Sequence, residues 1–375
     1  MDGLSCHHRS GRYCKLATPA PWRARLPYTL DNRLVVGVAS SALFDLAESD
    51  RVLRRDGEQA YRRYQEEHLQ DPLQPGIAFS FIRRLLSLND LADDADHLVE
   101  VIVMSRNDPD TGLRVMESIA HHGLPITRAI FMQGRAPFAF VPALNVSLFV
   151  SADDDMVRSA NQRGLPAGRA LPSATVDDDD ELRIAFDFDG ILADDRSEQV
   201  KQESGLPELH HHGTAHAGSA HDPGPLQPFL LKIAKIQATE RERKLADPDY
   251  RMRLHIALVT ARHAPSHKRA IQSLKSWGVM VNDAFFLGGI DKGAVISVLR
   301  PHIYFDDRQG HLASTSTSAP AVQVPFGTVN GAPEHREANG VAGVDERVVG
   351  SAGGRHRAQL DERPSTASHP GAARS

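Results

Sequence analysis

The chain has 375 residues, 41% hydrophobic and 24% charged, which is the make-up of a soluble globular protein with room for two ordinary domains. A net charge of −5 provides no basic field for a nucleic-acid polymer, and no apolar run approaches the roughly 20 residues needed to cross a bilayer. The basic, proline-bearing start, MDGLSCHHRSGRYCKLATPAPWRARLP, lacks the apolar core of a secretory signal, so the expected location is the cytoplasm. Its two cysteines, Cys6 and Cys14, flank His7 and His8, but no second ligand cluster has the spacing of a structural zinc site. Residues 1–30 read as a disordered leader.

Strand-like and helix-like segments then alternate. Leu34–Ala39 is an apolar strand, Ser49–His68 a charged helix and Ile77–Leu88 a buried helix. Leu98–Met104 is a strand, Gly112–His122 a helix, and Ala129–Met132 and Val146–Val150 are strands. The acidic run Asp177–Asp180 reads as a solvated linker. The same kinds of element follow: strand Leu182–Phe186, helix Leu226–Lys235, strand Leu254–Val259, helix His267–Trp277, and strands Ala284–Leu287 and His302–Phe305. This alternation predicts an α/β fold with a parallel, Rossmann-like sheet. Residues 31–165 form one half and 166–330 the other. From Gly331 the tail has no aromatic residue and one leucine, too little apolar surface to offset its ordering entropy, so 331–375 is expected to be disordered.

The halves resemble each other. A shift of 148 carries Val38–Leu43 onto Phe186–Ile191, His68 to His216, Pro75 to Pro223, Gly76 to Gly224 and Phe81 to Phe229. After an insertion around Arg241–Asp249 a shift of 155 carries Ser105 to Thr260, Gly123 to Gly278, Phe131 to Phe286, Gly134 to Gly289 and Val150 to Phe305. The expectation is a duplicated unit whose first copy has lost its chemistry. Ala39 and Ser41 stand for Asp187 and Asp189, Pro137 for Lys292, and Ser151 and Ala152 for Asp306 and Asp307.

The second copy places an ionisable or hydroxyl group after each apolar strand. Asp187 and Asp189 end Leu182–Phe186 before Gly190. Thr260 ends LHIALVT, Lys292 lies in LGGIDKG, and Asp306 and Asp307 end HIYF. In open α/β sheets such ends converge on one crevice. The set suits phosphoryl transfer from a monoester, in which cations must neutralise phosphate oxygens before a carboxylate can approach. Asp187 is read as the nucleophile, Asp189 as the acid and base, and Thr260 and Lys292 as phosphate ligands. Hard oxygen ligands for Mg²⁺ come from Asp187, Asp189, Asp306 and Asp307.

These motifs resemble those of the haloacid dehalogenase-like phosphohydrolases. More narrowly, SSALFDL, YRRYQEEH, PGIAFSFI, LVTARHAPSHKRAIQSLKSWG, FFLGGIDKG and RPHIYFDDRQGHL are similar to the cytosolic 5′-nucleotidase type I family over about Leu34 to Gly327. The resemblance implies Mg²⁺-dependent hydrolysis of nucleoside 5′-monophosphates such as AMP. A phosphatase for a sugar phosphate is the alternative enzyme, and a non-catalytic nucleotide-binding regulator the non-enzyme one. A homo-oligomer is left open. The His-rich stretch with His210, His211, His212, His216 and His221 departs from the family, and its spacing fits no single helix face, so it is read as a solvated loop. A base needs an apolar surface with a few polar groups. Phe44, Arg106, Asn107 and Gln133 from the first half, with Arg262 and His263 beside Thr260, are the residues expected to provide it.

Overall fold

The computed structural model describes residues 28–92, 97–172, 179–194 and 220–326. Cys6, Cys14, residues 1–27 of the expected leader, the expected C-terminal tail and His210–His216 fall outside these residues. The first half runs β1 (Leu34–Val38), α1 (Ser40–Leu43), α2 (Ala47–Glu67), α3 (Phe79–Ser87), β2 (Val99–Ser105), α4 (Pro109–His121), β3 (Arg128–Phe131), β4 (Leu148–Ser151), α5 (Asp154–Asn161) and β5 (Ala167–Leu171). The second runs β6 (Leu182–Phe186), α6 (Gln227–Ala246), β7 (Leu254–Thr260), α7 (His267–Ser276), β8 (Asp283–Phe286), α8 (Lys292–Leu299), β9 (Ile303–Asp306), α9 (Gln309–Thr315) and β10 (Ala321–Gln323).

Every residue of β1, β2, β4 and β9 is buried, which requires cover on both faces and explains why these runs are mostly apolar. The ten strands form one sheet in the order β3-β2-β1-β4-β5-β10-β9-β6-β7-β8. All neighbours are parallel except β5 and β10, which meet antiparallel through Ala321↔Leu171, Val322↔Ala170 and Gln323↔Arg169. Read outward from this seam, each half has the same strand order. The seam also sets direction. The carboxyl ends of β1–β5 lie on one edge of the sheet and those of β6–β10 on the other. β5 pairs with β4, so it lies with the first-half strands, although a boundary at 165/166 assigns it to the second.

Backbone hydrogen bonds follow the two sequence offsets. Ala39 N donates to Val150 O and Asp187 N to Phe305 O, both at 2.8 Å. Met132 N donates to Ser105 O at 3.1 Å and Leu287 N to Thr260 O at 2.9 Å. Leu73 N and His221 N each donate to a serine hydroxyl, Ser118 and Ser273, at 2.9 Å. Asn145, ahead of β4, and Arg300, which closes α8 ahead of β9, both turn left-handed, at φ 52° and 46°. One register slip appears. Gly76 N donates to Leu43 O and Gly224 N to Leu192 O, each at 2.9 Å, so the turn after β6 holds one residue more than the turn after β1. The ungapped shift of 148 therefore breaks inside the acidic turn.

One face of the sheet carries a single apolar core shared by both halves, and the other carries two separate clusters. On the shared face Phe305 of β9 stacks on Phe186 at 5.2 Å and meets Phe81 of α3 edge-on at 6.3 Å. Arg84 of α3 donates to Glu181 O at 2.8 Å just before β6. None of the described helices is long and apolar enough to cross a membrane.

Candidate active site

The charged residues of the second half collect where its strand order reverses, between β6 and β9. In a doubly wound sheet this is where the connections diverge and leave a crevice. β6 delivers Asp187 one residue past its last strand position, and β9 ends on Asp306. Lys292 opens α8, after Asp291 caps the helix through Gly293 N at 3.1 Å. Its ammonium bridges the two acids, 2.6 Å from Asp187 Oδ2 and 2.7 Å from Asp306 Oδ2, with all three side chains buried. Two strands and a helix terminus, far apart in sequence, thus converge on one charged cluster.

Asp306 is heavily engaged. Besides Lys292 it accepts from Tyr304 Oη, from Arg308 N at 2.8 Å, and from His311 Nδ1 at 3.1 and 3.2 Å. Burial would raise its pKa, yet Lys292 and His311 hold it well below the usual carboxylate range. Burial pulls Lys292 toward neutrality, but Asp187 and Asp306 outweigh that and keep it charged. For Asp187 burial prevails, pushing the carboxyl up to about 6 despite Lys292.

Asp189 faces a different partner. Arg262, two residues past the end of β7, grips it from Nε at 2.8 Å and Nη2 at 2.5 Å, with its guanidinium over the Phe188 ring. Burial alone would raise Asp189, but Arg262 holds it ionised. Gly190 turns with φ +74°, and a Cβ there would sit 2.9 Å from Asp307 Oδ2, so only glycine admits Asp307 this close to the acidic turn. Thr260 Oγ1 accepts from Arg262 N at 3.2 Å and is buried.

Asp187, Asp306 and His311 each offer a ligand atom within 4.8 Å of the others, a set a metal ion could use. Two hard carboxylates suit Mg²⁺. The Asp189 carboxylate lies outside this set because it is turned onto Arg262.

The base-binding surface expected from the first half is not assembled here. Phe44 is fully buried, packed against Phe79 and His122 at 6.1 and 5.8 Å, and has no surface to offer a ligand. Arg106, which donates to Gly134 O at 3.0 Å and pairs with Asp153 at 3.2 Å, lies with Asn107 and Gln133 at the carboxyl edge of β2 and β3. That edge is opposite the one bearing Asp187. β2 is also six places from β6 in the sheet, about 29 Å at roughly 4.8 Å per strand. The antiparallel seam is the physical reason. Of the six residues, Arg262 and His263 stand at the active edge. His263 packs on the glycine loop before Lys292, where a Cβ on Gly288 would meet its Cβ at 3.1 Å.

Tyr304 and His311 are the two members of the cluster not expected from the sequence. Tyr304 sits two residues before Asp306 and so on the same face of β9, a period-two signal that was available. His311 falls on the third residue of α9, and nothing in its local sequence marks it.

A mostly parallel α/β sheet with its charges gathered at a strand-order reversal has the haloacid dehalogenase-like architecture. The 5′-nucleotidase family model matches residues 26–331, and the chain belongs to that family. It is 31% identical to human cytosolic 5′-nucleotidase 1B over 302 residues, which cover 78% of this chain and 48% of that protein. The chain thus spans about half the length of this relative. No solved structure matches it.

Proposed function

We propose that the chain hydrolyses nucleoside 5′-monophosphates of the AMP type to nucleoside and phosphate. The observation that carries this is the Asp187–Lys292–Asp306 cluster at the strand-order reversal of a 5′-nucleotidase family fold. A buried nucleophilic carboxylate with a fixed ammonium 2.6 Å away can accept a phosphoryl group without its negative charge repelling the phosphate oxygens.

In this reading Asp187 attacks phosphorus, the bond to the 5′ oxygen breaks, and an aspartyl-phosphate forms on Asp187. Lys292 and the Thr260 hydroxyl hold phosphate oxygens. Asp189 first protonates the leaving oxygen, then takes a proton from the water that hydrolyses the aspartyl-phosphate. The base half of that role matches Asp189 as it stands, ionised against Arg262. The acid half requires Arg262 to exchange Asp189 for another anion, and the substrate phosphate is the one at hand. Asp187, with Asp306 or Asp307, would hold Mg²⁺. When bound, the ion keeps Asp187 ionised and neutralises phosphate oxygens. The first half does no chemistry in this reading. It is a degenerate copy that completes the sheet and the shared core.

The test is a panel of nucleoside 5′-monophosphates and sugar phosphates, assayed with Mg²⁺ and with EDTA, beside Asp187→Asn. Phosphate release that survives EDTA or Asp187→Asn sinks the mechanism. Turnover of sugar phosphates without AMP sinks the substrate assignment.

A further inference from the structure

The same strand order and a matching set of backbone hydrogen bonds occur twice in this chain, once with a charged cluster and once without, so the molecule contains its own control for what the fold alone requires. Tyr304 and Phe149 occupy matching places in β9 and β4, both fully buried. Their amides donate to equivalent carbonyls, Pro320 O and Pro166 O, each at 2.8 Å. Past the strand, Arg308 N donates to Asp306 Oδ1 at 2.8 Å and Asp153 N to Ser151 Oγ at 3.1 Å. His311 is the third residue of α9, and Met156 the third residue of α5. Strand, turn and helix therefore form with phenylalanine and methionine just as they form with tyrosine and histidine. The phenol hydroxyl and the imidazole are not needed to build this part of the fold.

What they do instead is visible at Asp306. A carboxylate offers about four lone-pair positions. Lys292 Nζ, Tyr304 Oη, His311 Nδ1 and Arg308 N occupy them in this structure, so an ion held by Asp306 would displace one of these donors. Tyr304 Oη is the donor in its bond to the Asp306 carboxylate, which can only accept. The His311 proton sits on Nδ1, because ionised Asp306 can only accept. We infer that Tyr304 and His311 are positioning residues that pin the Asp306 carboxylate and, through it, aim the Lys292 ammonium at Asp187 and at the phosphorus being transferred. The inference rests on the reading of Asp187 and Lys292 as the phosphate-handling pair. Without the two donors, Oδ2 of Asp306 would have Lys292 as its remaining side-chain donor and would draw the ammonium off Asp187. A hydrogen bond made to fix a charge in the transition state affects kcat more than ground-state binding.

The experiment uses the full chain with Tyr304→Phe, His311→Met and the double variant, each copying the first half's own residue. Thermal midpoint, kcat and KM for AMP with Mg²⁺, and affinities for inorganic phosphate and orthovanadate are measured. Vanadate mimics the five-coordinate phosphorus of the transition state and reports on Lys292 without turnover. Each single variant is expected to melt within about 5 °C of wild type. Each should lose about tenfold in kcat and in vanadate affinity, with KM and phosphate affinity changed by less than about twofold. Tyr28→Phe removes a phenol-to-carboxylate bond of the same kind, 2.6 Å to Glu100 near the amino end of β2, and should change none of these. Wild-type kcat and vanadate affinity in the variants would overturn the inference, as would a collapse in melting temperature, which would make the pair structural. If wild type turns over no phosphomonoester yet binds vanadate, the functional reading fails and the anion affinities alone judge the positioning role. If it binds neither anion, both fall.

Discussion

At the carboxyl end of β9, Asp306 gathers a lysine, a phenol, an imidazole and a backbone amide. At the carboxyl end of β4, Ser151 receives the Asp153 amide and nothing ionisable replaces the rest. At the end of β6 stands Asp187, ion-paired to Lys292. At the end of β1 stands Ala39, followed by Ser40, whose hydroxyl lies 2.8 Å from that of Ser105. Two crevices share a strand order and a set of backbone bonds and differ in every charged residue. Such a sheet tolerates small neutral groups at its strand ends without loss of form, so the buried charges of the second half call for a chemical explanation.

The most severe test of this contrast is Asp187, the proposed nucleophile. Asp187→Asn should cut phosphate release by at least about 10³-fold, read as initial rate with AMP and Mg²⁺. A residual rate near wild type would place the chemistry elsewhere. Next in size is Arg262, whose first-half counterpart by the 155 offset is Asn107. Arg262→Met leaves the buried Asp189 carboxylate without its guanidinium and should cost about 3–5 kcal/mol in urea unfolding, whereas Asn107→Ala should cost under about 1 kcal/mol. Equal costs would mean that the Arg262–Asp189 pair is not the strong buried contact its geometry indicates.

A smaller effect concerns pH. His302, at the place Ser147 holds in the first half, accepts from Arg183 N at Nδ1 and lies 3.3 Å from Asp179. Burial, reinforced by Arg183 and Arg84, lowers it from 6.5 to about 4. The unfolded chain takes up the proton near 6.5 while the folded one resists until about 4, so the unfolded state binds more protons in that window. Stability is full above about 6.5 and declines as pH falls toward 4, by at most about 1 kcal/mol per pH unit. In His302→Ser this part of the acid sensitivity should vanish from denaturation midpoints measured between pH 4 and 7. The smallest effect is expected from Arg106→Ala and Gln133→Ala, which should shift KM for AMP by less than about twofold. A larger shift would bring the far edge of the sheet back into the substrate site.

Much of this was legible in the residues. Runs such as LRIAF, LHIALVT and HIYF read as strands because a sheet covered on both faces buries them, and their carboxyl ends mark Asp187, Thr260 and Asp306 directly. β5 and β10 were not legible. AGRAL and AVQ are short, contain glycine, arginine or glutamine, and become strands by pairing with each other and with β4 and β9. Because the seam was hidden, so was the reversal of direction between halves, and Arg106, Asn107 and Gln133 were drawn toward a site they face away from. α5 is not among the elements expected from the sequence, although Asp153 caps it through Met156 N at 3.0 Å. Tyr304 and His311 were missed because a buried phenol and a half-buried imidazole are ordinary neighbours until the carboxylate they share is seen.

The three-residue seam also governs how the chain can be divided. Cutting after Leu171 would leave β10 as an unpaired edge and strip the second half of Phe81 and its neighbours on the shared core face. The second half on its own would be a sticky fragment with an exposed strand edge and core face. On the proposed reading, substitutions in the first half would lower activity in cells by lowering the amount of folded protein, with kcat per folded molecule unchanged.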